Sequence, residues 1–403
     1  MCPVFNQEKR QEAGVEFSQV RKLYYILLFI LVFIVIYYIV FFGMIYRLVI
    51  TYAGMYHLGG DFLHFYVAAL MAARGNIIDV YNVQTFQSEI TKYRTNIYYW
   101  PYPPTFLIIL LPLSLLPYWP AFIIWVSLTL ITYLLVVYHI APRPITFLLT
   151  LAFPATFYNI FMGQNGFLTA SFLGAGLVLL ENRPFLGGIL LGLISYKPQF
   201  AILVTVALIF GRQWRALLGA ASSALGLALI SVAVFGPRVW LLFYRNLPVS
   251  MEFLSSAPRP QMISLFSSIL LMKGGLATAW ILQGIIMLAA VPVLIWGWRV
   301  GTPPLRHALL VLLTLLFTPH AFYYDLTLLA LPLAWIGWHG HTHGWLPGEL
   351  TILTLAWLLP FLMIFRIIEI NLNLPLAPLI LLALVILVLR RQYTFPGYQN
   401  GGG

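Results

Sequence analysis

The chain has 403 residues, of which 61% are hydrophobic and only 8% charged, with a formal net charge of +11. Soluble domains carry roughly 25% charged residues, so this composition excludes a soluble globular protein and predicts an all-α integral membrane protein. The basic residues are scattered between apolar stretches instead of forming a stripe with aromatic platforms, which argues against a nucleic-acid partner, and the single cysteine, Cys2, excludes an internal disulfide and a cysteine metal cluster.

Residues 1–22 read as a cytoplasmic N-terminal tail that holds Glu8, Glu12 and Glu16, three of the chain's 11 acidic residues. Leu23 to Tyr46 carries no charge. At about 1.5 Å per residue it crosses the roughly 30 Å hydrocarbon core with some tilt, and it is too long for a signal-peptide h-region. Apolar segments and their breaks predict spans at 23–50, 119–139, 145–161, 166–180, 184–196, 198–211, 214–235, 276–298, 307–318, 322–338, 349–366 and 375–389. These 12 spans form one transmembrane domain over 23–390, with outer loops at 51–118 and 236–275 and a cytoplasmic tail at 391–403. The closing Gly401, Gly402 and Gly403 read as an appended remnant and are set aside. The stretch PTFLIILLPLSLL (104–116) reads as a short helix on or partly in the membrane, because counting it as a span breaks the parity of the termini.

With the N-terminus cytoplasmic, 12 Lys and Arg of the connections fall on the inner side, against six on the outer: Lys197, Arg238, Arg245, Arg259, Lys273 and Arg366. That bias favours both termini inside. The inner turns, such as ENRP (181–184) and RQWR (212–215), are plain basic links. The outer hairpins end in MGQNGF (162–167), SYKPQF (195–200) and FTPHAFYYD (317–325), so polar chemistry gathers on the outer side. A helix over 184–196 reaches only about 20 Å, which places such tips below the membrane surface, where irregular backbone must be buried in protein or line a wet cavity. A single helix over 185–210 kinked at Pro198 is the alternative to a hairpin there.

The order GGDFLHFY (59–66), RGNIIDVYN (74–82), YPP (102–104), GQN (163–165), YKPQ (196–199) and TPH (318–320) resembles glycosyltransferase family 87. The resemblance covers roughly residues 50 to 330. It implies a GT-C fold and a polyprenyl-phosphate-mannose-dependent mannosyltransferase of the cell membrane. It also implies a lipid-linked sugar donor, an active site facing away from the cytoplasm, and a catalytic acid in the first outer loop.

The chemistry of such a donor suits a chain poor in acids. Cleaving an ordinary glycoside takes two carboxylates, because the leaving alcohol must be protonated; a sugar phosphate leaves as a stable anion, so one base plus cations or hydrogen-bond donors is enough. Asp61 is the candidate base, with an N-cap of the following helix as its structural alternative. Its segment carries Phe62, Phe65, Tyr66, Ala69 and Leu70, which suit an interfacial helix. His64, one turn on, shares its face.

Lys197 is the candidate partner of the donor phosphate, or else snorkels to the interface. His320 and Arg245 are further phosphate candidates, against a packed histidine and a solvated arginine. Gln164 and Asn165 have the amide geometry for sugar or acceptor hydroxyls, and Gln199, Tyr323, Tyr324 and Asp325 extend that set; Asp325 reads either as a second acid or as a salt-bridge partner of Lys197. HGHTHG (339–344) reads as a cytoplasmic loop. No Walker loop, dinucleotide fingerprint or HExxH occurs, and no cofactor or metal is expected beyond the polyprenyl-phosphate-linked sugar itself. The expected partners are that donor, a glycolipid or glycan acceptor, and membrane lipids. A transferase of another polyprenyl-linked sugar, such as arabinose or glucose, is the alternative within the enzyme class, and a lipid or solute transporter the alternative outside it.

Overall fold

The computed structural model describes residues 58–92, 99–255, 260–367 and 374–395, together with Val32, Ile36, Ile39 and Gly43, which are helical. The N-terminal tail, the rest of the predicted span 23–50 and the end of the C-terminal tail lie outside the described residues. The chain divides into two units, Met1–His57 and Leu58–Gly403, and the second holds nearly all the described residues.

Among the described residues the unit is helical, with an isolated bridge between Met262 and Phe322. The first outer loop supplies α1 (Gly60–Ala73), α2 (Ile77–Val80), α3 (Val83–Thr91) and α4 (Pro104–Leu110). Then come α5 (Tyr118–Ile140), α6 (Pro144–Leu151), α7 (Pro154–Met162), α8 (Gly166–Leu179), α9 (Pro184–Gly192), α10 (Pro198–Phe210) and α11 (Trp214–Phe235). The second loop forms α12 (Arg238–Ser255) and α13 (Leu265–Leu271), and α14 (Leu276–Val300), α15 (Pro303–Phe317), α16 (Ala330–His343), α17 (Glu349–Ile367) and α18 (Leu376–Thr394) complete the chain. Pro104, Pro144, Pro154, Pro184, Pro198 and Pro303 all stand in the first turns of their helices. There a missing N–H costs nothing and the fixed φ is already helical.

By length and composition four helices, α5, α11, α14 and α18, are able to cross a membrane; α6 and α7, bent by 54°, make a fifth if they form one span. The other predicted spans that the structure describes are shorter or broken helices, so four or five of the 12 expected spans are of full length among the described residues. The break at Lys197 is a reversal. A Cβ on Gly188 would overlap Ala216, and one on Gly192 would overlap Ala220, so α9 and α11 run in parallel. The intervening α10 must therefore return antiparallel to α9, which excludes the single kinked helix.

The turns sort onto two ends. At one end Arg306 pairs with Glu181, Arg143 contacts His341, and Arg390 donates to the Pro347 carbonyl at 3.0 Å. At the other, the Gly59 N–H donates to the Phe161 carbonyl at 2.7 Å, and the Ile263 N–H to that of Ala321 at 2.9 Å.

Two elements expected at the membrane surface are interior instead. Phe62, Phe65 and Ala69 of α1 are buried, as are Leu63, Val67, Ala68 and Met71 from its other sides. In α4, Phe106, Leu107 and Leu110 have no exposed surface. Apart from Asp61 and His64 of α1, both helices are apolar on most of their circumference, and a helix of that kind is largely buried. They enclose an aromatic core in which Phe65 meets Phe106 edge-on at 5.2 Å and Phe106 stacks on Tyr196 at 4.7 Å. HGHTHG is likewise the helical end of α16 and not a loop. Its His339 accepts a hydrogen bond from Arg391 at 2.6 Å, and Arg391 also forks onto Glu349 at 2.6 and 2.5 Å. Pairing this guanidinium bidentately satisfies a charge with no exposed surface.

Candidate active site

Asp61 stands in the first turn of α1, whose N-cap is Gly59 and not the aspartate. Gly59 takes φ 77°, in the left-handed region where glycine has no Cβ penalty. It is locked by its N–H to Phe161 and by the Tyr118 hydroxyl, which donates to its carbonyl at 3.0 Å. The helix start is thus built without the Asp61 side chain, and a carboxylate in a first helical turn is favoured by the macrodipole. Gln164 Nε2 donates to Asp61 Oδ2 at 3.0 Å, joining two segments 103 residues apart.

The GQNG turn that carries Gln164 is equally fixed. Gly163 takes φ 67°, and a Cβ there would lie 2.5 Å from that of Phe62, so only glycine lets the hairpin approach α1. Trp125 Nε1 donates to its carbonyl at 2.9 Å. Asn159 accepts from the Gly166 N–H at 3.0 Å and donates to the Tyr324 carbonyl at 3.1 Å and to Thr327 Oγ1. Asn165, fully buried, donates from Nδ2 to the Tyr102 hydroxyl at 2.9 Å. Burial pushes the Tyr102 phenol up, the Asn165 hydrogen bond opposes this, and the charges of Asp325 and Asp61 add to the rise. Tyr102 therefore stays a neutral hydroxyl.

Lys197, at the reversal between α9 and α10, donates to Asp325 Oδ1 at 2.7 Å. Both side chains are 3% exposed. The ammonium also lies 4.8 Å from the centroid of the Tyr324 ring and 5.4 Å from that of Phe200, contacts of cation–π range. The second Asp325 oxygen accepts the Phe322 N–H at 3.0 Å. Of the two sequence readings of Asp325, the structure has the salt-bridge partner, and Lys197 is paired inside the protein instead of snorkelling.

Asp61, Gln164, Asn165, Lys197, Tyr324 and Asp325 are therefore brought to one region, linked through Tyr102. His64 is buried in α1 one turn after Asp61, and Gln199 is half-buried in the first turn of α10. Tyr323 turns the other way: its hydroxyl donates to the Pro360 carbonyl at 2.6 Å and its ring meets Tyr158 at 4.5 Å, a packing role. His320 packs edge-on to Phe266 and Trp280 at 5.6 and 5.9 Å, and burial pushes its imidazole down to about 4, so it is uncharged at neutral pH. Arg245 lies exposed on α12, where a loop was expected. Tyr102 was missed as a site residue, although it opens the YPP stretch; a hydroxyl aromatic fixed before two prolines was the available signal. Among the described residues no three His, Cys, Asp or Glu side chains converge in a way that could hold a metal ion.

The model of glycosyltransferase family 87 matches residues 100–319. This stretch is more than half of the chain and carries Tyr102, Gln164, Asn165 and Lys197, while Asp61, Tyr324 and Asp325 flank it. No curated protein and no solved structure matches the chain. The protein, a membrane glycosyltransferase by its apolar helices and this match, belongs to glycosyltransferase family 87.

Proposed function

We propose that the protein transfers a mannosyl or similar residue from a polyprenyl-phosphate sugar to a hydroxyl of a glycolipid or glycan, on the extracytoplasmic side of the cell membrane. The observation that carries this reading is one base candidate and one buried cation brought to the same region: Asp61 held by Gln164, whose neighbour Asn165 donates to Tyr102, and Lys197 held by Asp325 against the Tyr324 ring.

In this reaction the acceptor oxygen attacks the anomeric carbon from the face opposite the phosphate. Its proton passes to the Asp61 carboxylate, the bond from the anomeric carbon to the phosphate oxygen breaks, and polyprenyl phosphate leaves with that electron pair. The configuration inverts. Gln164 fixes the base by one oxygen, so the carboxylate is oriented before the acceptor arrives. Lys197 has three N–H donors, of which Asp325 takes one, and a phosphate brought beside it gains a charge-assisted hydrogen bond in a water-poor site. Asn165 and the Tyr102 and Tyr324 hydroxyls offer neutral partners for sugar hydroxyls.

The test is transfer by the purified protein in lipid nanodiscs, from polyprenyl-phosphate mannose, glucose and arabinose offered separately with a glycolipid acceptor. Mannosyl transfer with inverted stereochemistry is expected. Transfer from a nucleotide sugar, with none from any polyprenyl-phosphate sugar, would overturn the reading.

A further inference from the structure

The second loop is tied to the candidate site through one tyrosine. Tyr81 closes α2 and is buried, and its hydroxyl donates to the Tyr102 carbonyl at 2.9 Å. Tyr102 is followed by Pro103 and Pro104, neither of which has an N–H, so this stretch has few backbone donors with which to brace itself. Tyr102 is held instead at both ends, its carbonyl by Tyr81 and its hydroxyl by Asn165 at 2.9 Å. The Tyr81 carbonyl, left open where α2 stops, accepts in turn from the Asn246 side chain of α12, and Phe243 of α12 meets the Tyr81 ring edge-on at 6.2 Å.

α12 has three faces. At about 3.6 residues per turn, Val239, Phe243 and Asn246 share the side turned to the protein, where Val239 and Phe243 are buried. Arg238, Arg245 and Glu252, all exposed, line one edge. Leu241, Tyr244, Leu247 and Met251 form the third face, apolar and 58%, 57%, 38% and 44% exposed. Unlike α1 and α4, α12 has no protein cover on that face among the described residues. The candidate span α11 ends at Phe235 with Leu229 and Val234 exposed, and α12 starts directly after it at Arg238. Trp240 Nε1 donates to Ser231 Oγ at 2.9 Å, which fixes α12 against the end of that span. An uncovered apolar face with a charged edge, starting where a span ends, matches a helix lying in the membrane interface with its arginines at headgroup level.

We propose that the membrane surface on the side of the candidate site is the partner of this face, and that Tyr81 is a positioning residue which carries the seating of α12 to Tyr102. The proposal rests on the transfer reading above and adds a lipid surface as an input to the site, with the route by which it arrives. Displacing α12 pulls through Asn246 on the end of α2; the Tyr81 hydroxyl then shifts the Tyr102 carbonyl, and with it the hydroxyl that meets Asn165. Transfer is sensitive to such shifts, because a misplacement of about 1 Å in a reacting geometry costs on the order of 10²-fold.

The experiment uses the full-length protein in nanodiscs of phosphatidylethanolamine and phosphatidylglycerol. A nitroxide at Tyr244→Cys, in a Cys2→Ser background, is expected to be relaxed more by oxygen than by a water-soluble nickel chelate. Leu241→Gln with Tyr244→Gln should lower kcat about tenfold. Tyr81→Phe should lower it by a similar factor while the donor KM changes by less than about twofold, the pattern of a contact realised only in the transition state. Adding the two α12 substitutions to Tyr81→Phe should cost nothing further, because the link is already cut. Asn246→Leu cuts it at the other bond and should behave as Tyr81→Phe does. Hydrogen exchange over residues 99–110 reads the same coupling without sugar: the α12 pair should speed it in the parent protein and not in Tyr81→Phe. A nitroxide relaxed more by the chelate than by oxygen, or effects of α12 and Tyr81 that multiply in well-folded proteins, overturns the proposal. The expected exchange pattern without transfer from any polyprenyl-phosphate sugar would keep the strap and remove the transfer reading. Transfer from such a donor, with kcat and exchange both indifferent to Tyr81→Phe, would keep the transfer reading and remove the strap.

Discussion

Lys197 Nζ lies 2.7 Å from Asp325 Oδ1, and the two side chains, 128 residues apart, are both almost fully enclosed. A buried pair of this kind repays its desolvation only when both charges are present, so removing one partner costs about 3–5 kcal/mol. Lys197→Ala is therefore expected to lower thermal stability sharply, as is Asp325→Ala. The double variant Lys197→Met with Asp325→Asn removes both charges at nearly constant volume and keeps an acceptor for the Phe322 N–H. It should regain most of the lost stability while sugar transfer stays absent. Unfolding curves and transfer assays on the same preparations separate the two effects; a double variant with normal transfer would leave Lys197 a purely architectural role.

Two glycines give opposite expectations. Gly163 has φ 67° and faces Phe62, so Gly163→Ala combines an unfavourable left-handed backbone with a clash at 2.5 Å, and it should destabilise by about 1–3 kcal/mol. It should also displace Gln164 from Asp61 and lower transfer. Gly226, in the middle of α11, has nothing within 4 Å of an added Cβ. Gly226→Ala should be neutral or should stabilise by up to about 1 kcal/mol. Thermal unfolding of the two variants side by side checks both.

Much of this architecture could be read from punctuation. The predicted span 214–235 coincides with α11, and 166–180 and 198–211 end within one residue of α8 and α10. Prolines at helix starts and glycines past helix ends are local signals that tertiary packing does not override. The environment of an apolar helix was not legible, because hydropathy records a demand for cover without saying whether lipid or protein supplies it. Hence α1 and α4 were assigned to the membrane surface while Phe62 and Phe106 lie in an aromatic core. The same limit applied to the site. Asp325 was legible as a possible partner of Lys197 because both sit at polar hairpin tips, but the bond from Asn165 to Tyr102 and the seat of Lys197 against the Tyr324 ring depend on long-range packing that no local pattern encodes.

The neutral imidazole of His320 gives the stability a pH dependence. Its ordinary pKa is 6.5, and burial pushes it down to about 4 in the folded protein. Between these values the unfolded chain binds the proton and the folded chain does not, so stability falls as pH drops through the window from 6.5 to 4. His320→Phe keeps an aromatic ring against Phe266 and Trp280 and should flatten that part of the curve. Midpoints of thermal unfolding at steps from pH 7 to pH 4 provide the comparison. An identical slope in the variant would place the acid sensitivity elsewhere.

Sidedness is testable at exposed positions. Ser88 and Arg245 belong to the two large loops, and Arg299 and His341 to the opposite end of the bundle; all four are exposed. With Cys2→Ser as background, an impermeant thiol reagent applied to intact cells should label Ser88→Cys and Arg245→Cys, and should reach Arg299→Cys and His341→Cys only after the membrane is opened. The reverse pattern would put the Asp61 end of the bundle in the cytoplasm and remove a donor presented from outside.

Asp61 carries the proposed chemistry, and its position lets chemistry be separated from folding. The start of α1 is held by Gly59, Tyr118 and Phe161, so Asp61→Asn removes no capping bond, and the first-turn charge it loses is worth about 0.3–1 kcal/mol. The asparagine keeps an oxygen that accepts from Gln164. Expression and thermal unfolding should therefore stay close to those of the parent protein. Transfer should fall by roughly 10²-fold or more, the scale of a lost general base. Gln164→Glu makes the complementary test: a second carboxylate in place of the amide that now meets Asp61 Oδ2 at 3.0 Å disfavours the charged base. The acidic limb of the pH–rate profile should then move to higher pH, with transfer recovering as pH rises. A well-folded Asp61→Asn protein with near-normal turnover, together with an unmoved profile in Gln164→Glu, would show that the base lies elsewhere.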